Sequence, residues 1–442
     1  MPQLPQELID QIIDCLAANS KIRGSWLGED LLHCSHTNRS FRHRCLFYLF
    51  SSICISGKDL EAKISKIKTL LEIIEEKPII ATYIDELNLA SEDMGGPNLA
   101  YGPKFYSTLL REPIFATMME KISPIRHLVV KNNNGKVYSP SKERIDPIPV
   151  LDRLLLPVST YITSLYLQAL DNVPLKVLAS FPNLNSLDLL NVGLTRINDP
   201  MPQSPPTIRH FGYQHCRFSQ IGICKIFGLS HMNISQLKSL TIYAIPIINE
   251  HENEVDSLFT YGLSTIEELR LFTMDGELMA KGYPSITSYE NWFNLRFLHC
   301  DIPFKSYLDL DLPLNMLSSI HSGSLDHLEI VVKLQSLRGR QDQCSPEIIL
   351  NCDWSLLCSQ VLRIMDCAGS KFDLQLSFYA VLPITPQEVA RHQALFRKRC
   401  HSTLSILSRR EHFQALVDSP HIKCRMTEAQ TIVSCAYAPF PL

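Results

Sequence analysis

Histidine and cysteine offer this chain its richest chemistry, and their spacing argues against using it. His210, His215 and Cys216 fall close together, and Cys344, Cys352, Cys358 and Cys367 form a second loose group. Zinc sites pair ligands across a short turn, so that two donors reach one tetrahedral ion. Neither group has that paired spacing, and their thiols read as small apolar side chains for a core. His392, His401 and His412 recur along a charged stretch and read as solvated groups of a surface helix. Arg338-Gly339-Arg340 and Arg397-Lys398-Arg399 are short basic runs that suit a wet face better than a nucleic-acid tract. Gly135 and Gly193 stand alone, outside any phosphate-cradling loop. No serine sits between the two glycines of a nucleophile elbow. Acidic pairs such as Glu267-Glu268 precede apolar strands and need no catalytic role. The expectation is a non-catalytic protein with no metal and no cofactor, which leaves hydrolase and transferase chemistry aside.

Composition narrows the class further. The chain has 442 residues, enough for several domains or for one continuous array of repeats. Apolar residues make up 45%, so a large core can form. Lys and Arg number 42 against 45 Asp and Glu, so no bulk charge points to nucleic acid or an anionic membrane. The 14 cysteines are scattered without paired spacing, and no charged-then-apolar leader opens the sequence. Both observations lead to an expectation of free thiols in a reducing compartment, cytoplasmic and/or nuclear. The longest tempting apolar stretch, 70–81, is interrupted by Glu72, Glu75, Glu76, Lys77 and Pro78, so no membrane span is expected.

The elements that could carry a binding function begin at the amino terminus. Pro5 suits a first helical turn, and Leu8, Ile9, Ile12, Ile13 and Leu16 are then expected on one helical stripe. Residues 19–28, with Gly24 and Gly28 as breakers, are expected to form a loop. Leu31, Leu32 and Cys34 suit a second helix. Asn38 is placed to cap a third that turns Phe41, Cys45, Tyr48 and Leu49 inward. Ser51 to Ile55 alternates like a strand, and 58–77 reads as an amphipathic helix through Leu60, Ile64, Ile67, Leu71 and Ile74.

In order, the blocks Leu4-Pro5, Glu7-Leu8-Ile9, Ile12-Ile13, Leu16, Asp30-Leu31-Leu32, Cys34-Ser35, Arg39-Ser40-Phe41-Arg42 and Leu49-Phe50 resemble the F-box, most closely the F-box-like domains of fungal proteins. The resemblance covers about residues 3–55. The Trp usual late in the third helix of that family is absent, with Phe41 as its substitute. The resemblance implies docking to a Skp-type adaptor of a cullin ubiquitin ligase. By that carry-over, Leu4, Pro5, Leu8, Ile9, Ile12, Leu31, Cys34 and Arg39 would lie at or near the adaptor surface. The competing reading makes the same residues the core of a small helical domain.

Beyond residue 80 a strand-like signature recurs, in which apolar residues stand at positions 1, 4 and 6. It appears at Ile84, Ile125, Ile162, Leu184, Ile208, Leu237, Ile266, Leu295 and Leu325, with a weaker instance at Leu362-x-Ile364. The central positions 211, 240, 269, 298 and 328 are spaced by 29, 29, 29 and 30 residues, while the earliest steps, 87 to 128 to 165, span 41 and 37. A period near 29 with this pattern is the mark of leucine-rich repeats, each adding one strand to a parallel sheet. The competing reading is an ordinary α/β domain with coincidental spacing. Segments 173–181 and 254–262 could return the chain, Phe372 to Ala380 could add a strand, and Pro386 to Arg410 a charged closing helix before a tail from Ala436.

The expected architecture is therefore α/β: a small helical F-box-like module (1–56), a linking helix (57–80), a degenerate leucine-rich-repeat solenoid with a parallel sheet (81–380), and a capping helix with tail (381–442). Variable strand positions would share one sheet face, with Tyr166, Asp188, Thr241, Tyr243, Arg270, Phe272, His299, Asp301, Glu329 and Arg363 available to a target protein. The expected function is substrate recognition in a Skp–cullin–F-box ubiquitin ligase. The alternative is a protein-interaction scaffold that takes no part in ubiquitin transfer.

Overall fold

A computed structural model describes residues 5–23, 27–57, 59–91, 109, 112–122, 125–132, 159–168, 170, 173–190, 192–195, 204–214, 232–243, 264–272, 294–304, 311–320, 325–335, 350–365, 372–382, 398–419, 422–428 and 432–433. The fold is α/β with parallel strand pairing, and the chain divides into two compact units, one holding Met1–Thr207 and the other Asn233–Leu442 with Ile208–His215. That division falls inside the stretch expected to be one repeat body.

The first unit opens with three helices. Helix α1 (Gln6–Arg23) starts as the Pro5 carbonyl accepts the amides of Leu8 and Ile9. It runs on through the first half of the expected loop, because residues 19–23 contain no breaker and each added residue gains a hydrogen bond. Helix α2 (Leu27–Thr37) absorbs Gly28 in its first turn. Asn38 then caps α3 (Arg39–Phe50) as expected, its side chain accepting the Ser40 amide at 3.0 Å. Replacing it, Asn38→Ala, should cost about 1 kcal/mol of stability in urea denaturation. Ile13, Ala17, Leu31 and Cys45 form the core of this module, with Leu16, Cys34, Phe41, Tyr48 and Leu49 packed against it.

Strand β1 (Ser52–Ile55) leads to α4 (Leu60–Glu76), which Asp59 caps by accepting the Ala62 amide at 2.8 Å. Ile67, Leu70, Leu71 and Ile74 fill its inner face, and Lys63 is buried with them. A 3-10 turn (Pro78–Tyr83) presents Tyr83 edge-on to His43 and Phe47 of α3, which ties the helical module to the start of the sheet. Strand β2 (Glu86–Ser91), helix α5 (Pro113–Lys121), β3 (His127–Asn132), β4 (Ser164–Gln168), α6 (Leu175–Ala179) and β5 (Ser186–Leu190) complete the pattern. The strands β1 to β5 lie side by side in chain order, all parallel.

The second unit repeats the theme with β6 (His210–Gln214), β7 (Ser239–Tyr243), β8 (Glu268–Phe272), β9 (Phe297–Phe304), α7 (Asp311–Ser319) and β10 (His327–Gln335). It ends with α8 (Ser355–Met365), β11 (Phe372–Leu382), a helix α9 over 398–407, α10 (Glu411–Val417) and β12 (Ile422–Glu428). Again the strands are parallel and in chain order. The near-29-residue spacing becomes register: Phe211, Leu240, Leu269, Leu298, Leu328 and Leu374 stand opposite one another and are all buried. All nine full instances of the signature are strands. The weak one, Leu362-x-Ile364, is not. It lies in α8, where Val361 and Ile364 face inward at helical spacing, a pattern too short in sequence to separate the two periods.

One device recurs at the foot of the strands in both units. A single carbonyl accepts two successive amides of the next strand entry, at 2.7–3.0 Å: Ser51 from Asp85 and Glu86, Arg126 from Thr163 and Ser164, Lys238 from Glu267 and Glu268, Glu267 from Arg296 and Phe297. Asn183 and Asn294 add a side-chain amide to the preceding turn, donating at 2.6 Å to the carbonyls of Thr160 and Ser264. Of the expected closing helix, 398–407 is helical and 386–397 lies outside the described residues, as do 254–262 and the tail from Ala436.

Candidate functional site

Helical phase splits the amino-terminal apolar residues into two sets. Leu8, Ile12 and Cys15 stand four and three residues apart and share the outer stripe of α1; Ile9, Ile13 and Ala17 share the inner one. Leu8 is 45% exposed and Ile12 55%, with Leu32 of α2 at 47%. These are three of the seven large apolar side chains that stand in solvent among the described residues. Two of the residues expected at this surface are core instead: Ile9 is 6% exposed and Leu31 fully buried. Their burial supplies the module's own stability, so they cannot also be handles. Pro5 and Arg39 are exposed, Cys34 is partly covered, and Leu4 lies outside the described residues.

A polar clamp holds this outer stripe in place. Arg44 of α3 donates twice to Asp14 of α1, Nε at 2.7 Å and Nη2 at 2.9 Å, and the Tyr48 hydroxyl donates to the same carboxylate at 3.0 Å. The Arg44 hydrogen bonds hold the Asp14 carboxyl below its ordinary range. Arg44 also lies over the rings of Phe47 and Tyr48, at 5.2 and 5.3 Å from their centroids. Gln6 donates to the Ser40 carbonyl at 3.0 Å, a second tie between α1 and α3. Nothing local announces these pairs, because the partners are separated by about thirty residues.

The second unit's sheet carries a polar face. In register across β8, β9, β10 and β11 stand Arg270, His299, Glu329 and Gln375. A neighbouring rung holds Glu268, Phe297, His327 and Asp373. Of the expected target-facing residues, Arg270, Phe272, His299, Asp301 and Glu329 share this face. Thr241 and Tyr243 occupy the matching positions of β7. His299 is 6% exposed and Asp301 2%, and the imidazole touches both Glu329 (Nδ1 to Oε2, 2.8 Å) and Asp301 (Nε2 to Oδ1, 3.0 Å). The Phe272 ring leans on the imidazole at a 4.6 Å centroid distance. Alongside, the Arg270 guanidinium lies 4.6 Å over Phe297, and Phe297 stacks at 4.8 Å on His327, which meets Asp373 at 3.4 Å. Arg363 does not belong here. It stands on α8 and donates through Nη2 to the Leu317 carbonyl at 2.6 Å, capping the end of α7.

In the first unit, Tyr166 and Asp188 stand opposite each other on the polar side of β4 and β5. The Tyr166 hydroxyl donates to Gln168 at 3.1 Å, and the Lys131 ammonium sits 5.0 Å over the Tyr166 ring. Burial pushes the Lys131 ammonium down and the Asp188 carboxyl up, the latter to about 6. Asn88, two strands from Tyr166 on the same face, has its Oδ1 sealed without a hydrogen-bond partner. Ionising Asp188 in the fold is therefore costly, and the cost appears as pH rises above the ordinary carboxyl value and is complete above the elevated one. Asp188→Asn should stabilise the protein near neutral pH, with a ceiling of about 3 kcal/mol set by the gap from 3.8 to about 6. The gain should fade toward about pH 4, which urea denaturation at several pH values would show.

Among the described residues no group of three or more His, Cys, Asp or Glu is arranged to hold a metal ion. No helix among them is long and apolar enough to cross a membrane. Of the loose clusters singled out in the sequence, His215, Cys216, Cys344, Cys367 and His392 lie outside the described residues, while His401 and His412 are exposed. No protein-family model matches this chain, and no curated protein matches its sequence.

Proposed function

We propose that this chain is the substrate-recognition subunit of a Skp–cullin–F-box ubiquitin ligase, with no active site of its own. The observation that carries the reading is the exposed Leu8–Ile12 stripe of α1, together with the exposed Leu32 of α2, on helices whose sequence blocks resemble the F-box. Burying those three side chains in an adaptor groove would release roughly 5–9 kcal/mol before association costs. The parallel-stranded body, read as divergent leucine-rich repeats, then offers its polar strand positions to a target protein. Its contribution to ubiquitin transfer is proximity. Titration of a purified Skp-type adaptor with the full chain, monitored by calorimetry, tests the docking step. Saturable one-to-one binding supports the reading, and a well-folded chain that takes up no heat sinks it.

One observation favours a second reading, a protein-interaction scaffold outside ubiquitin transfer. Ile9 and Leu31 are interior, so the apolar handle is smaller than the family resemblance implies. That reading expects cellular partners to be retained when the outer stripe is charged.

A further inference from the structure

We propose that His299 is a proton-held latch on the polar face of the second unit's sheet. As an imidazolium it joins Asp301 of its own strand to Glu329 of the next, and loss of one proton breaks that link.

A neutral imidazole has one N–H and one lone pair, so it donates to a single acceptor. Here both ring nitrogens face carboxylate oxygens, at 2.8 Å and 3.0 Å. Only with one additional proton in the cluster do both contacts attract. Whether that proton rests on the ring or is shared with a carboxylate, the cluster titrates as a unit. Burial alone would strip the proton from the ring, but the hydrogen bonds it donates to Asp301 and Glu329 outweigh that and hold the imidazole above its ordinary range. The same hydrogen bond holds Glu329 below its own.

The surroundings decide what release does. From β8, Arg270 stands opposite His299 with Glu268 two positions before it, and Phe272 covers the ring. From β9 come Asp301 and Phe297 on the same face. From β10 come Glu329 and, two positions earlier, His327; from β11, Asp373 and Gln375. Asp301 and Glu329 thus both face the buried His299 ring. The Glu329 side chain is 22% exposed and the Arg270 side chain 40%, so both have room to move. Without the latch proton, one carboxylate meets a lone pair, and Glu329 is the freer of the two. It turns away, toward Arg270 and solvent. Because the His299 value is raised, the latch is whole below the ordinary imidazole range and is lost as pH rises through the elevated one. Any effect on target capture rests on the proposed ligase function. The latch itself does not, so its test is separate.

The test is a long-range proton–nitrogen NMR titration of the full chain between about pH 5 and pH 9. It is combined with hydrogen exchange of the β9 and β10 amides. The expected result is a His299 midpoint above the ordinary imidazole value. Intrinsic-rate-corrected protection in β9 and β10 should drop across that midpoint. Glu329→Gln should lower the midpoint, and His299→Gln should make β9–β10 protection independent of pH over the range. A His299 midpoint at or below the ordinary imidazole value, or protection that ignores pH in the unmodified chain, overturns the proposal. If His299→Gln does not fold, the Glu329→Gln shift and the unmodified chain still decide it.

Discussion

Carrying Leu8→Asp and Ile12→Asp together, the protein should lose at least about 100-fold in affinity for a Skp-type adaptor and keep its melting temperature. The two halves of that result come from different facts. Both side chains stand in solvent, at 45% and 55% exposure, so carboxylates there disturb little of the fold. In a complex, each would be an uncompensated charge pressed into an apolar groove, where central aliphatic anchors carry most of the binding energy. A 100-fold loss needs only about 2.7 kcal/mol, well within reach of two such insertions. Ile9→Asp is the instructive control. Ile9 is 6% exposed and lies on the inner stripe, so its charge should unfold the helical module rather than block docking selectively. Calorimetry for binding and circular dichroism for folding separate the cases. Undiminished adaptor affinity in the Leu8/Ile12 double variant would remove the outer stripe from the docking surface.

Truncating the latch should cost more stability than any surface change. His299→Leu leaves Asp301, which is 2% exposed, and the partly covered Glu329 without the cation between them. Removing one member of a buried charged cluster typically costs about 3–5 kcal/mol, because the remaining charges keep their desolvation penalty. Denaturant midpoints at neutral pH would measure it. The loss should shrink at alkaline pH, where the unmodified protein has already given up the latch proton and its stabilising effect. Adding Asp301→Leu to His299→Leu should recover part of the stability by removing a buried carboxylate that has lost its imidazole contact. If the single variant is as stable as the parent, the two short contacts contribute little to the fold.

Legibility in the sequence differs by element. The strand sites are legible, since an apolar residue at every second position, repeated near a 29-residue interval, leaves few alternatives to stacked parallel strands. So is the Asn38 cap, because a capping side chain acts on an amide two residues away. The long α1 is not: two glycines suggest a loop, yet nothing in 19–23 stops a helix already growing. Arg363 escapes a sequence reading because Leu362-x-Ile364 fits a strand and a helix equally over three residues, and only the folded chain shows the helix that forms.

The same divide runs through the functional surfaces. Sequence alone determined the local chemistry: which positions alternate and where the greasy helix begins. Only tertiary structure decided which side of α1 turns outward, since Leu8 and Ile9 are adjacent letters whose fates part by about 100° of helical rotation. It alone brought His299 to Glu329 across thirty residues, and Asp14 to Arg44. Periodicity is encoded by neighbours in the chain and can be read along it. Pairing depends on how strands and helices stack, and that is settled by burial of the whole core at once.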